Sequence, residues 1–125
     1  MIRWPVVLGV LGVLGCQQEV LFGPHTDATC PPSSPLTYGN FGQPFMEAYC
    51  TRCHAQTLHG SARMGAPSLH DFDTWYGIRA FIDHIDETTA SGPAATNESM
   101  PPYGAAPTLA ERTSLGEWLA CGAPP

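Results

Sequence analysis

Cys50-Thr51-Arg52-Cys53-His54 places two thiols and an imidazole within five residues. On one helical turn, thiols three residues apart can each add to a haem vinyl group. The next residue then faces the ring, and its imidazole becomes an axial iron ligand. The C-x-x-C-H spacing is therefore read as the attachment site of one c-type haem, anchored by Cys50 and Cys53 and ligated by His54. Two other chemistries use a close cysteine pair. A zinc site needs two further ligands at short spacing, and a thiol redox pair of thioredoxin type needs a βαβ context. Neither context is evident in the chain. A non-haem domain whose cysteines hold zinc or a disulfide stands as an alternative.

An electron-transferring haem with both axial positions filled needs a sixth ligand. Met100 is the candidate, 46 residues after His54 in the loop Met100-Pro101-Pro102-Tyr103. Its prolines stiffen the loop, so the soft thioether is presented with little freedom left to lose. Met46 precedes Cys50 by one helical turn and cannot reach the far face, while Met64 follows His54 by only ten residues. His59, His70 and His84 offer bis-His ligation instead. His84, beside Asp83 and Asp86 and off the apolar face, reads as solvated. Met–His ligation raises the potential relative to bis-His.

The elements that must position these groups are helical. Phe41, Phe45 and Tyr49 recur at spacing four and lead into Cys50, which predicts a first helix from near Asn40 or Gly42 with Pro44 in its first turn. Residues 55 to 70 read as loop. Trp75, Ile78, Ile82 and Ile85 predict a second helix from about Thr74 to Asp86, capped by Asp73 or Thr74. A second loop, rich in proline, covers residues 88 to 107. The last helix is expected to start at the capping box Thr108-Leu109-Ala110-Glu111 and to stop at Gly122, burying Leu115, Trp118 and Leu119. Nothing alternates with period two. The expected fold class is all-α, three to four helices wrapped around a prosthetic group.

The chain opens with one basic residue, Arg3, and then an uncharged apolar run too short to span a bilayer. Residues 1–15 read as a secretory signal. Val13-Leu14-Gly15-Cys16 resembles a bacterial lipobox, in which Cys16 is acylated and becomes the new N-terminus; cleavage of an ordinary signal peptide nearby is the alternative. Residues 16–37, with Pro24, Pro31, Pro32 and Pro35, read as a lipid-anchored linker, partly ordered near Cys30 if a disulfide forms there, and 38–125 as a single domain. Beyond the signal, four Arg and no Lys face eleven acids, a formal charge of −7. Such a surface excludes nucleic acid and acidic membranes as partners. With Cys16, Cys50 and Cys53 assigned, Cys30 and Cys121 remain. In an oxidising compartment a disulfide is expected between them, contributing about 4 kcal/mol by loop closure; two unpaired buried thiols are the alternative.

The order of these features resembles class I (monohaem) cytochrome c over roughly residues 38 to 122: C-x-x-C-H on a first helix, a loop Pro, a middle helix, a Met-Pro loop and a terminal aromatic helix. The Tyr38-Gly39-Asn40-Phe41 opening and the Trp118-Leu119-Ala120-Cys121-Gly122 ending look more narrowly like exported cytochrome-c-like lipoproteins of myxobacterial type. The resemblance implies a cytochrome c-like fold. It implies that the Pro67 carbonyl accepts a hydrogen bond from His54, orienting it. It also implies that Gly42 and Phe45 pack on Trp118. The absent lysines, the lipobox and the extra cysteine pair depart from the usual small cytochrome and leave its docking partner open.

Together these features predict a monomeric one-electron carrier with haem c, exported to the periplasm and lipid-anchored to a bacterial, outer membrane. Its expected partners are redox proteins of an exported electron-transfer chain, and it catalyses no turnover itself. The rivals are a gas- or peroxide-binding haem protein with an open distal site, and a cytochrome subunit of a larger oxidoreductase.

Overall fold

The computed structural model describes residues 22–125. Residues 1–15 and Cys16, read above as signal and acylation site, lie outside the described residues. Among those described, the regular structure is helical and no strand forms, apart from an isolated bridge between Ser91 and Thr96. None of these helices is long and apolar enough to cross a membrane.

The first helical segment begins earlier than the apolar spacing indicates. Thr37 and Asn40 cap each other reciprocally, with Thr37 Oγ1 accepting from the Asn40 N–H at 3.1 Å and Asn40 Oδ1 from the Thr37 N–H at 2.8 Å. That box starts a π-helical turn, Tyr38–Gly42, which passes directly into α1, Gln43–Tyr49. Phe45 and Met46 are buried by α1, and its last turn continues through Cys50, whose N–H bonds the Met46 carbonyl at 2.8 Å.

Where one middle helix was expected, two occur. α2, Trp75–Ala80, is capped by Thr74, and α3, Ile82–Thr89, follows after a break at Phe81. No Gly or Pro causes the break. Phe81 leaves helical geometry (φ −129°, ψ 30°), and its ring lies 3.9 Å from that of His70. Burial of an aromatic ring outweighs the single helical hydrogen bond given up there. α4, Leu109–Ala120, starts at the expected capping box: Thr108 Oγ1 accepts from the Glu111 N–H at 3.2 Å, and Glu111 Oε2 accepts from the Thr108 N–H at 2.7 Å.

α4 supplies the centre of the core, with Leu115 and Trp118 fully buried against Phe45, Met46, Ile78 and Ile85. Gly42 is there for space. An added Cβ would enter the Trp118 ring, so only glycine lets the first helical segment close on the last. Cys30 and Cys121 stand at disulfide distance, with Cα atoms 4.7 Å apart across 91 residues of sequence.

The linker expectation is corrected. Residues 22 to 36 are a strap on the domain, and any free linker ends before Phe22. Thr26 is fully buried, and its N–H and Oγ1 donate to the Asp86 carboxylate at 2.9 and 2.6 Å. Gly23 N–H bonds the Glu87 carbonyl at 2.7 Å, Asn97 Nδ2 holds the Pro24 carbonyl at 2.8 Å, and Ser34 Oγ holds Glu117 at 2.6 Å. Proline and serine content made this stretch look unstructured. Backbone groups of Gly23, Pro24 and Thr26 are in fact held by polar groups of distant elements.

Candidate functional site

The helical turn after α1 carries the three motif residues into the wall of an open, apolar cleft. Cys53 and His54 N–H groups both bond the Cys50 carbonyl, at 3.1 and 3.0 Å, which winds the pentapeptide into one turn. Cys50, Cys53 and His54 all line the cleft, as do Pro67, Phe72, Ile85 and, in the segment before α4, Met100, Pro101 and Pro102. The cleft holds a cavity of about 110 Å³ and opens to solvent at its mouth. None of the lining residues is acidic in a chain with eleven Asp and Glu.

His54 is held in one tautomer. Its Nδ1 lies 2.9 Å from the His70 carbonyl. A carbonyl only accepts, so Nδ1 carries the proton and Nε2 keeps its lone pair. Burial holds the imidazole below its usual pKa, opposed by that same carbonyl bond, so the ring is neutral at pH 7. Phe72 stacks on it at 4.6 Å between centroids. The orienting acceptor is thus His70, which corrects the expectation for Pro67. The Pro67 carbonyl instead accepts from Arg63 Nη2 at 2.7 Å. Pro67 still lines the cleft, but it acts on His54 through Arg63, whose Nη2 also reaches the His70 carbonyl at 3.1 Å.

Arg63 ties the whole loop after His54. Beyond those two carbonyls its guanidinium donates to those of Ala55, Leu58 and Ala66 and pairs with Asp71 Oδ1 at 2.8 Å. Arg112, 3% exposed on α4, does the same for the Met100 segment. Its Nη1 holds the carbonyls of Thr89, Asn97 and Met100 at 2.8, 2.9 and 3.1 Å. The Met100 N–H bonds the Thr88 carbonyl at 3.0 Å. Neither arginine was singled out from sequence. One signal was available: cations are so scarce in this chain that each one inside a Gly- and Pro-rich stretch invites a structural explanation.

Among the methionines weighed as ligands, only Met100 reaches the cleft. Met46 is buried in the core, and Met64 is exposed. His59 is exposed as well, but His70 and His84 line the cleft, which corrects the solvated position expected for His84. Their rings are hydrogen-bonded, His70 Nε2 to His84 Nδ1 at 3.2 Å, and Phe22 from the strap lies 4.8 Å from the His84 ring. His70 Nδ1 is buried without a protein partner.

Cys50 and Cys53 are free thiols. Burial pushes the Cys50 thiol up to about 12, with Arg52 and Arg112 pulling weakly the other way. Redox-active C-x-x-C pairs need the opposite, a lowered thiol pKa. Nor do three His, Cys, Asp or Glu side chains converge as a protein-only metal site among the described residues. Tyr49, one residue before the motif, donates to both oxygens of Glu111 at 3.0 and 3.1 Å, so the α4 cap also fixes the end of α1.

No protein-family model matches the chain, and neither does any curated protein or solved structure. The chemistry of the cleft has to be read from its own residues.

Proposed function

We propose that this chain is an exported, lipid-anchored monohaem cytochrome c that carries single electrons, with a cytochrome c-like fold around the cleft. One observation carries this reading. Two thiols, an imidazole with a free Nε2 and a thioether, the donor set of a covalent His/Met haem, meet around one apolar cleft although Met100 is 46 residues from His54. The orphaned His70 Nδ1 supports it too, since a buried polar atom needs a partner that an occupant of the cleft can provide.

Cys50 and Cys53 would hold the haem by thioether bonds, and His54 and Met100 would ligate its iron. When bound, it supplies the Fe(III)/Fe(II) couple, a one-electron change. The chain's own part is positioning and drying. The His70 carbonyl keeps His54 in the Nδ1–H tautomer and raises its basicity as a ligand. Arg112 fixes the backbone at Met100 and at Thr89 and Asn97 before it. Phe72, Ile85 and Pro101 keep water from the walls. Cys16 acylation and removal of residues 1–15 would put the domain on the outer side of a bacterial membrane, where its partners are redox proteins.

The test is a peroxidase-type haem stain of the exported protein after denaturing electrophoresis, followed by spectra of the reduced form. Covalent haem stays with the chain, and a six-coordinate reduced form resists CO. An unstained chain rules out the haem. Rapid CO binding by the untreated reduced protein replaces the electron carrier with the gas- or peroxide-binding alternative. Met100→His should keep six-coordination and lower the potential.

A further inference from the structure

The strap changes where an anchor at Cys16 would put the cleft. Read as a free linker, residues 16–37 let the domain stand well clear of the bilayer. With residues 22 to 36 bound to α3, α4 and the Met100 segment, the chain between an anchor at Cys16 and the domain is no longer than Cys16 to Phe22. Phe22 is itself part of the cleft wall. It is the sixth residue after Cys16, and six residues span at most about 20 Å whatever their conformation. A domain of this size has a radius of gyration of about 13 Å. The tether is therefore shorter than the domain is wide, and it leaves from the cleft side.

Surface chemistry favours the same orientation. The cleft rim exposes Phe22 (44%) and Tyr103 (50%), with the cation Arg52 donating to the Tyr103 carbonyl. No acid lines the cleft, although the chain carries eleven Asp and Glu. Aromatic groups with one polar end suit the boundary between lipid and water. Glycine at position 23 lets the strap pass this close, because a Cβ there would enter the Asn97 side chain.

We infer that the strap holds the mouth of the cleft toward the anchoring membrane, so that electrons are exchanged with a redox protein resident in that same membrane. The partner presents an apolar face with an acidic group for Arg52. This rests on the acylated-haem reading above. A soluble protein reaching the cleft from the bulk must pass between domain and bilayer, where the tether leaves little room. A small reductant does not meet that obstacle.

The full lipoprotein in phosphatidylcholine vesicles is compared with a variant carrying twenty Gly/Ser residues inserted after Gln18. That insertion adds about 25 Å of root-mean-square reach without touching the strap or the domain. Haem reduction is followed with dithionite and with a reduced soluble flavoprotein. Equal dithionite rates are expected, with the flavoprotein reducing the extended variant severalfold faster than the natural one. Thr26→Val, which removes the strap's hydroxyl bond to Asp86 and leaves its backbone bonds, should move the natural chain in the same direction by a smaller amount. Equal flavoprotein rates for membrane-bound, haem-bearing forms overturn the inference alone. A chain that fails to bind vesicles, or that carries no haem, overturns it together with the reading beneath it.

Discussion

The two loops that face each other across the cleft are held by the same device and differ in what completes it. The loop after His54 is gathered by Arg63, which sits within that loop, has a carboxylate partner in Asp71 and bonds five carbonyls besides. The Met100 segment is gathered by Arg112, which reaches it from α4 and bonds three carbonyls with no carboxylate partner among the described residues. The first arrangement is local, closed between Ala55 and Asp71, directly after the motif. The second is long-range and borrows its donor from the last helix. The wall next to the Cys50–His54 turn can be built from its own neighbours in sequence, whereas the Met100 wall exists only once the helices have packed.

Removing each guanidinium while keeping its apolar stem should separate the two. Arg63→Met leaves Asp71 and several carbonyls buried and unpaired, a loss of about 3–5 kcal/mol, the cost of breaking a buried ion pair. It should lower the thermal midpoint sharply and reduce the yield of covalently loaded protein. A yield and midpoint equal to those of the natural protein would mean that the loop after His54 holds itself. Arg112→Met is expected to cost less, about 1–3 kcal/mol for the carbonyls left without a donor. Its signature is selective. Covalent haem should remain, while the reduced form begins to bind CO as the Met100 wall loosens. If both variants lose attachment alike, the division between a local and a long-range wall is wrong.

The smallest effect concerns the brace between the walls. The bond from the Thr108 N–H holds the Glu111 carboxyl below its usual pKa, and Thr108 and Tyr49 hydroxyls add to this. A lowered carboxyl pKa stabilises the fold fully above its unfolded value, near 4.5, and that contribution is lost as pH falls through the folded value. Glu111→Gln keeps a capping box but not the charge. The variant should be slightly less stable than the natural chain at pH 7, with the difference vanishing in acid. Parallel stability curves from pH 7 to 3 would show that the carboxylate charge contributes nothing to the brace.

Much of this was legible in the residues. The capping box at Thr108 and the buried Leu115, Trp118 and Leu119 appear where periodicity and cap chemistry put them. The break at Phe81 did not show, because it follows from a ring contact with His70, and contacts between distant residues leave no mark in a local pattern. The acceptor for His54 was misplaced for a related reason. Backbone carbonyls are identical at Pro67 and His70, and only the path of the loop selects one. Residues 22 to 36 read as linker because their composition lacks apolar periodicity, yet their polar groups find partners on α3 and α4.

What the sequence determined by itself is local chemistry: two thiols and an imidazole on one turn, a cap at each helix that has one, a thioether stiffened by prolines. Those depend on spacing along a few residues, which the chain carries explicitly. The tertiary structure alone decided which carbonyl orients His54, which guanidinium steadies Met100 and which side of the domain the N-terminal strap leaves from. Each of these joins groups far apart in sequence, and each is fixed by burial, where a polar atom without a partner is costly enough to select one arrangement.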